Sequence, residues 1–398
     1  MKTLKDFDLK DKKVLVRCDF NVPIDKNFRV SQDFRIKKVL PTIQYLQENG
    51  ARIILISHLG RPKEIKDKKL RSKLLSLKPV VKRLEDLLNK KIKFLDDCIG
   101  EKVKREIDGL KASEILVLEN LRFYEEEEKN DQNFAKKLSE LADIFIEDAF
   151  SVCHRNHASI VGIPKFLPSG VGFLVEKEIK VLSKALKNPW QPLVVIIGGI
   201  KISTKIKTAS QFYNKADHLL FGGEIANFIL RIKGISGRCL ASAKEDIPSP
   251  EIIEKINKFD LTNPGFHLPI DVVVSPDKTA KIYIRVAAPG DVRKDEMILD
   301  IGPETINIFS EIIKTAKMII WSGPLGFSEN ENFEKGTREI AQAIVKNYSA
   351  FKIAGGGETI SAISKFNLID RFEYISTGGG AMLKFLSGEK LPGIEILE

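Results

Sequence analysis

The feature that most constrains the fold is a recurring alternation of short apolar runs with longer stretches of helical periodicity. The runs are rich in β-branched residues, and each ends in a turn or a glycine-rich segment. They lie at 14–16, 53–56, 115–118 and 144–146 in the first half, and at 194–197, 219–221, 272–274, 318–321, 351–354 and 374–376 in the second. Strands alternating with helices predict parallel sheets covered by helices on both faces.

A chain of 398 residues is long enough for two domains. We expect an α/β protein with two Rossmann-like domains, joined by a hinge with an interdomain helix. The Pro/Gly-rich stretch PKFLPSGVG at 164–172 precedes a charged helical pattern at 175–187, and this order indicates the boundary. The predicted N-terminal domain covers 1–168, the hinge and its helix 169–187, and the C-terminal domain 188–383.

The composition excludes several other classes of protein. No apolar run approaches the roughly 20 residues of a membrane span, and 1–13 alternates charges where a signal peptide would be apolar, so we expect a cytoplasmic protein. Cys18, Cys98, Cys153 and Cys239 form no CxxC pair, which indicates neither zinc nor a disulfide framework. The run Glu125–Glu128 predicts an exposed helix start.

Polar residues that suit a small polyanion follow the strands of the first half. Guanidinium binds carboxylate and phosphate bidentately and keeps its charge, and ligands bind at the carboxyl ends of parallel strands. The net charge of +10 falls mostly in this half, where it would attract an anion. The residues are Arg17, Asp19, Asn21, Arg35, His58, Gly60, Arg61, Arg122, Asp148, His154 and Arg155.

Glycine-rich turns follow the strands of the second half instead. Glycines let backbone amides approach phosphates, and a helix N-terminus adds favourable partial charge, so these turns predict a nucleotide site. The turns are Gly198-Gly199 with Lys201 and Lys205 after it, Gly222-Gly223, Gly323-Pro324 with Gly326, Gly355-Gly356-Gly357 and Gly378-Gly379-Gly380. Neither GxxxxGK[ST] nor GxGxxG occurs at these strand ends. Glu358 and Thr359 offer a carboxylate for Mg²⁺ and a hydroxyl near the phosphates.

From RCDFNVP to STGGGA and LPGI, the sequence resembles the phosphoglycerate kinase family over essentially its whole length. The resemblance implies a monomeric, hinge-bending enzyme that reversibly passes a phosphoryl group from 1,3-bisphosphoglycerate to ADP, giving 3-phosphoglycerate and ATP. It implies that the N-terminal domain binds the glycerate, that the C-terminal domain binds the Mg²⁺-nucleotide, and that a tail at about 384–398 returns to the N-terminal domain.

The resemblance also implies a role for individual residues. The glycerate-binding set is Asp19, Asn21, Arg35, His58, Arg61, Arg122 and Arg155. The nucleotide-binding set is Lys201, Lys205, Gly222, Gly223, Glu329, Gly356, Gly357, Glu358 and Thr359, with Glu358 also at the metal. The residues expected to act on the transferred group are Arg35, Lys201 and Gly379, and Gly379 belongs to a helix start that faces this group.

The sequence departs from the family pattern mainly around the nucleotide, at Ile200, Thr204, Glu224, Ser322 and Glu358. These departures leave open a catalytically weakened relative that acts by binding nucleotide. A basic nucleic-acid-binding protein is a more distant alternative, because no RNP-like or C₂H₂ pattern accompanies the positive charge.

Overall fold

The computed structural model describes residues 1–236 and 249–398, so Cys239 lies outside the described residues. The chain divides into two compact units, Met1–Lys180 with Lys390–Glu398, and Val181–Glu389. No helix within the described ranges is long and apolar enough to cross a membrane.

The first unit is built on a six-stranded parallel sheet in the order β3-β4-β2-β1-β5-β6. Its strands are β1 (Lys13–Cys18), β2 (Arg52–Ile56), β3 (Lys93–Phe94), β4 (Ile115–Val117), β5 (Ile144–Asp148) and β6 (Ser169–Val171). Its helices are α1 (Phe34–Glu48), α2 (Lys68–Leu75), α3 (Lys78–Leu88), α4 (Glu101–Asp108), α5 (Glu125–Glu128), α6 (Gln132–Ser139) and α7 (Phe173–Lys187), and the division between the units falls within α7.

Alternate residues of β1 fill two hydrophobic cores, one on each face of this sheet. Val14 and Val16 belong to a core with residues of α1 and α3, whereas Leu15 belongs to a core with residues of α4 and α6. Side chains of a strand point alternately to opposite faces, so apolar residues at consecutive positions require helices on both. The continuous apolar runs of the sequence are explained by this double burial.

The second unit has its own six-stranded parallel sheet, in the order β15-β14-β13-β7-β8-β9. The strands of this unit are β7 (Leu193–Ile197), β8 (His218–Phe221), β9 (Phe266–His267), β10 (Val272–Ser275), β11 (Arg285–Ala287), β12 (Met297–Ile301), β13 (Met318–Ser322), β14 (Phe351–Gly355) and β15 (Tyr374–Ser376). The helices are α8 (Ile202–Phe212), α9 (Gly223–Ile232), α10 (Pro250–Asn257), α11 (Pro303–Thr315), α12 (Lys335–Lys346), α13 (Gly357–Lys365) and α14 (Gly379–Leu386).

The predicted α/β class with two parallel sheets is confirmed, but one apolar run lies elsewhere. The run at 272–274 forms β10, the centre of a three-stranded antiparallel sheet with β11 and β12. Short connections without a crossover helix join these three strands, and strands connected in this way pair antiparallel.

The last residues of the chain return to the first unit. A short helix, α15 (Pro392–Glu395), packs on the π-helical turn Ala158–Gly162. The Gly393 N–H donates to the carbonyl of Cys153 at 2.9 Å. A side chain at Gly393 would meet Ile160 at 2.6 Å, so this approach requires glycine.

Candidate active site

In the first unit, several residues from the carboxyl ends of the strands surround His58, which follows β2. His58 is buried, and burial holds its pKa well below the usual range; the charges of nearby guanidinium groups lower it further. Those groups belong to Arg17, Arg122, Arg155 and Arg35. We call this set, His58 with its four arginines, the basic cluster.

Arg35 lies in the first turn of α1 and is held by the loop after β1. Its Nη1 lies 3.0 Å from Asp19 Oδ2 and donates to the carbonyl of Asn21 at 3.0 Å. Asp19 is buried, accepts from the Asn21 N–H at 3.0 Å, and also accepts from the Ser151 hydroxyl. This one loop therefore orients the Arg35 guanidinium.

Arg122 connects the loops that follow β2 and β4. Its Nη1 donates to the carbonyl of Gly60 at 2.8 Å, and the Gly60 N–H donates to Asn21 Oδ1 at 2.9 Å. Arg61, the next residue after Gly60, does not share the burial of Arg122. Its side chain is exposed and pairs with Glu64 at 3.1 Å. Asn120, which sequence reasoning missed, fixes the β2 loop by donating to the carbonyl of Leu59 at 2.7 Å.

The basic cluster carries more positive charge than the carboxylates in contact with it neutralise. Burial, reinforced by the charge of Arg155, lowers the pKa of Arg122 to about 10. Glu128 lies 3.4 Å from Arg122 Nε, but Arg122 Nη2 is buried without a hydrogen-bond partner among the described residues. Buried like charges destabilise a protein unless a counter-charge binds, so the cluster is suited to hold an anion.

In the second unit, the glycine-rich turns at the carboxyl ends of β7, β8 and β13 pack backbone against backbone. Gly199 N–H donates to the Pro324 carbonyl at 2.7 Å, and Gly223 N–H donates to the Leu325 carbonyl at 2.8 Å. A side chain at Gly198 would meet the Pro324 carbonyl at 2.1 Å. These amides already have partners inside the protein, and the glycines allow the loops to pack this closely.

The turn after β14 is open at Gly357, whereas the turn after β15 packs closely against it. Gly357 starts α13, and a Cβ added there would meet nothing within 4 Å. Gly379 starts α14, and a Cβ added there would lie 2.4 Å from the Cα of Gly356. The N-termini of α13 and α14 are thereby adjacent, and helix N-termini attract phosphate.

Lys205 and Glu358 meet at Gly199. Lys205 is buried on α8 and donates to the Gly198 carbonyl; burial lowers its pKa to about 8, although the charge of Glu358 opposes this. Both Lys205 Nζ and Glu358 Oε2 lie within 2.6 Å of where a Gly199 Cβ would be. Lys201 occupies the N-cap position of α8, its side chain makes no capping hydrogen bond, and it is exposed.

The Thr359 hydroxyl is engaged inside the protein. It accepts from the Gly323 N–H at 2.7 Å and donates to the Gly355 carbonyl at 3.0 Å. It therefore joins the loop after β13 to the start of α13.

A pocket of about 180 Å³ extends from these turns, lined mainly by apolar side chains. Ile200, one of the departures from the family pattern, is 48% exposed and lines the pocket. Glu329 and Glu358 line it as well. Sequence reasoning missed Asn227 and Lys278; Asn227 follows Gly223 by one helical turn and was detectable, whereas Lys278 lies in the connection from β10 to β11.

The residues present fit a magnesium ion that arrives with phosphates. Within 1–236 and 249–398, no group of three His, Cys, Asp or Glu side chains is placed to hold a metal by itself. Mg²⁺ is usually bound by one or two carboxylates together with substrate phosphates. Glu358, beside Lys205 and at the start of α13, supplies one such carboxylate.

The first unit carries the basic cluster, and the second carries a glycine-lined pocket with lysines beside it. Together these features define a class of protein, the two-unit α/β phosphotransferases. Comparison with known proteins identifies the family within this class. The family model described as phosphoglycerate kinase matches residues 4–389, and the chain belongs to the phosphoglycerate kinase family. It is accordingly a phosphotransferase of glycolysis, with ATP or ADP as one substrate.

Full-length relatives and solved structures agree with this assignment. Phosphoglycerate kinase of Dictyoglomus turgidum is 44% identical, over 99% of this chain and 98% of the relative. That of Borrelia garinii is 45% identical, over 100% and 99%. The structure of phosphoglycerate kinase from Coxiella burnetii has a TM-score of 0.82 at 37% identity, covering 100% of this chain and 98% of its own. The Pyrococcus horikoshii structure has a TM-score of 0.85 at 32% identity, with the same coverage.

Proposed function

We propose that the basic cluster binds 3-phosphoglycerate or 1,3-bisphosphoglycerate while the glycine-lined pocket binds ADP or ATP, and that a phosphoryl group passes between them. The observation that carries this proposal is the excess of buried guanidinium charge around His58, with Arg122 Nη2 lacking a protein partner among the described residues. A ligand with carboxylate and phosphate groups supplies what this cluster lacks.

On the glycerate side, the proposed ligands differ in how firmly the protein holds them. Arg122 and His58 are buried, so their positions are set before the ligand arrives. Arg155 is half-buried and Arg61 is exposed, so these two side chains adapt to the ligand, whereas half-buried Arg35 is held by the loop after β1. Asp19 and Asn21 orient Arg35, and we assign them to binding mainly through that contact.

On the nucleotide side, the apolar pocket suits the base, and exposed Glu329 at its edge suits the ribose hydroxyls. Lys201, Lys205 and the open turn at Gly356 and Gly357 are assigned to the phosphates. Gly222 and Gly223 shape the pocket, because a side chain at Gly222 would meet Leu325 at 2.5 Å. A bound Mg²⁺ would be held by Glu358 together with the phosphates, and it would neutralise phosphate charge.

The chemistry requires positioning and charge stabilisation rather than a base. The attacking carboxylate of 3-phosphoglycerate is already ionised at neutral pH, so no group has to remove a proton. Arg35 and Lys201 are assigned to the charge on the transferring phosphoryl group. Gly379, at the N-terminus of α14, adds the favourable end of a helix dipole.

The two proposed sites belong to different units, so we infer a closing motion with its hinge at 169–187. Closure would bring the reactants together and exclude the water that hydrolyses an acyl phosphate. We assign glycerate binding to 1–168 with the tail at about 384–398, and Mg²⁺-nucleotide binding to 188–383. We also propose that the protein is a monomer, that it acts in the cytoplasm and that it binds no nucleic acid. Small-angle scattering with no compaction when both ligands are bound would contradict the hinge.

A coupled assay tests the function. ATP and 3-phosphoglycerate are supplied to the protein, and NADH oxidation by glyceraldehyde-phosphate dehydrogenase reports the bisphosphoglycerate formed. We expect turnover that depends on both substrates and rises with Mg²⁺ to saturation. ATP binding without turnover would favour the weakened relative, and turnover unchanged after chelation of divalent ions would remove the Mg²⁺ assignment.

A further inference from the structure

The run Glu125–Glu128 was expected to be exposed, but its third carboxylate is completely buried. Glu127 is 0% exposed, whereas its neighbour Glu126 is exposed. A buried carboxylate requires hydrogen-bond donors. Ser159 supplies two of them to Glu127, its N–H to Oε2 at 2.9 Å and its hydroxyl to Oε1 at 2.6 Å.

The same serine connects Glu127 to the basic cluster. Ser159 Oγ accepts from Arg17 Nε at 2.9 Å, and Arg17 is itself 0% exposed. Arg17 Nη1 donates to the carbonyl of Cys18, and Nη2 lies 3.2 Å from His58 Nδ1. Every nitrogen of this guanidinium therefore has a partner inside the protein. Because Arg17 is also 0% exposed, these contacts fix the orientation of its guanidinium.

The contact with Arg17 determines where His58 carries its proton. An arginine side chain has donors and no acceptor, so His58 Nδ1 has to accept from Nη2. In neutral imidazole the proton then resides on Nε2, and a protonated ring would place two donors against each other. His58 can present only an Nε2–H donor to a ligand of the basic cluster.

Two other buried titratable side chains, Glu147 near Arg17 and His157 near Glu127, do not replace these contacts. Glu147 makes no hydrogen bond to Arg17, because its Oε1 accepts from the Ala149 N–H at 2.8 Å and its Oε2 has no partner among the described residues; burial raises its pKa to about 8. His157 Nδ1 lies 3.8 Å from Glu127 Oε1, but burial lowers the pKa of His157 to about 3, so it brings no positive charge to Glu127.

We propose that Glu127 is a positioning residue: through Ser159 it holds Arg17, and Arg17 fixes His58 as the Nε2–H tautomer that donates to the anionic glycerate ligand. The proposal rests on the proposed function, because it takes the basic cluster as the glycerate site. It assigns a role in the reaction to three buried residues, Glu127, Ser159 and Arg17, that do not themselves touch the substrate.

Nitrogen NMR of the histidine side chains tests the first step in the native full-length protein without ligand. The chain has five histidines, and a His58→Asn variant identifies the His58 signals by their loss. We expect an unprotonated Nδ1 and a protonated Nε2 at neutral pH. An Nδ1–H tautomer, or an imidazolium, in the native protein would overturn the proposal whatever the variants do.

Variants test the second step. Glu127→Gln keeps the shape but replaces one acceptor oxygen by a donor, and Ser159→Ala removes the link to Arg17 Nε while it leaves the Ser159 N–H bond to Glu127. Ser159→Ala is the variant to use if Glu127→Gln does not fold. We expect both to lose the single tautomer of His58 and to weaken 3-phosphoglycerate binding in calorimetry about tenfold or more, with ATP binding unchanged.

Glu126→Gln is the matched control, because it makes the same change at the exposed neighbour and should alter neither quantity. If a folded variant keeps both the Nε2–H tautomer and native 3-phosphoglycerate affinity, the positioning role is wrong. If the native protein binds no 3-phosphoglycerate, the proposed function fails instead, while the tautomer measurement still decides whether Arg17 fixes His58.

Discussion

The contrast between two neighbouring glycines gives the sharpest test of the nucleotide site. At Gly379 an added methyl group would lie 2.4 Å from the Cα and 3.0 Å from the N of Gly356, and both are backbone atoms that cannot rotate away. Ordinary contacts between carbon atoms are about 3.5–4 Å, so Gly379→Ala has to push the starts of α13 and α14 apart by about 1 Å or more.

Both stability and rate should respond to this displacement. Overpacking of this kind costs about 1–3 kcal/mol, and for a unit the size of 181–389 each kcal/mol lowers the melting temperature by about 2–4 °C. A displacement of 1 Å near the reacting groups costs about a hundredfold in rate. We expect Gly379→Ala to lower the melting temperature measurably and to reduce kcat in the coupled assay by about that factor.

Gly357→Ala is the matched control, because its added methyl group meets nothing within 4 Å and its backbone is not left-handed. We expect this variant to melt at the native temperature. If phosphates bind at this open turn, the methyl group will still raise KM for ATP. The reasoning is refuted if Gly379→Ala keeps the native melting temperature and kcat, or if Gly357→Ala destabilises the protein as much as Gly379→Ala.

Three further outcomes are expected. Arg35→Ala and Lys201→Ala should each lower kcat by about 10²–10³, measured in the coupled assay, with Lys215→Ala at an exposed position of the second unit as the unaffected control. Burial lowers the pKa of Lys205 to about 8, so its positive charge is present below that pH and is lost above it. Calorimetry from pH 7 to pH 9 should therefore find that the affinity for ATP falls. A constant affinity would argue against a contact between Lys205 and phosphate. Asp148→Ala should lower the free energy of unfolding by about 1–2 kcal/mol, because Asp148 Oδ1 accepts hydrogen bonds from two N–H groups at the start of α7. Urea titration measures this free energy. An unchanged urea midpoint and an unchanged slope of the transition would contradict the capping role.

The sequence was sufficient to predict the two parallel sheets, because strands buried on both faces leave short, uninterrupted apolar runs that alternate with helices. It was insufficient for β10, since the run at 272–274 has the same composition as a parallel strand and only its pairing with β11 and β12 distinguishes it. Very short edge strands such as β3 and β9, of two residues each, leave no pattern at all.

The residues of the proposed site could also be predicted only in part from the sequence. Arginines and glycines that follow strands could be found from the sequence, because the topology of a parallel sheet brings strand ends to one edge. What each group does there depends on its partners: the Thr359 hydroxyl is used inside the protein, and Glu127 is buried although it stands in a run of charged residues. Composition and spacing carry no information about such contacts between distant segments.

The return of α15 to the first unit has a consequence for how the protein is made. Residues 1–180 leave the ribosome long before Gly393, whose N–H bonds to Cys153, so the first unit cannot complete its packing while the second is still being translated. The second unit, 181–389, is one continuous stretch of the chain, and the final nine residues belong to the first unit. A premature stop codon that removes those residues would therefore damage the half of the protein that was synthesised first.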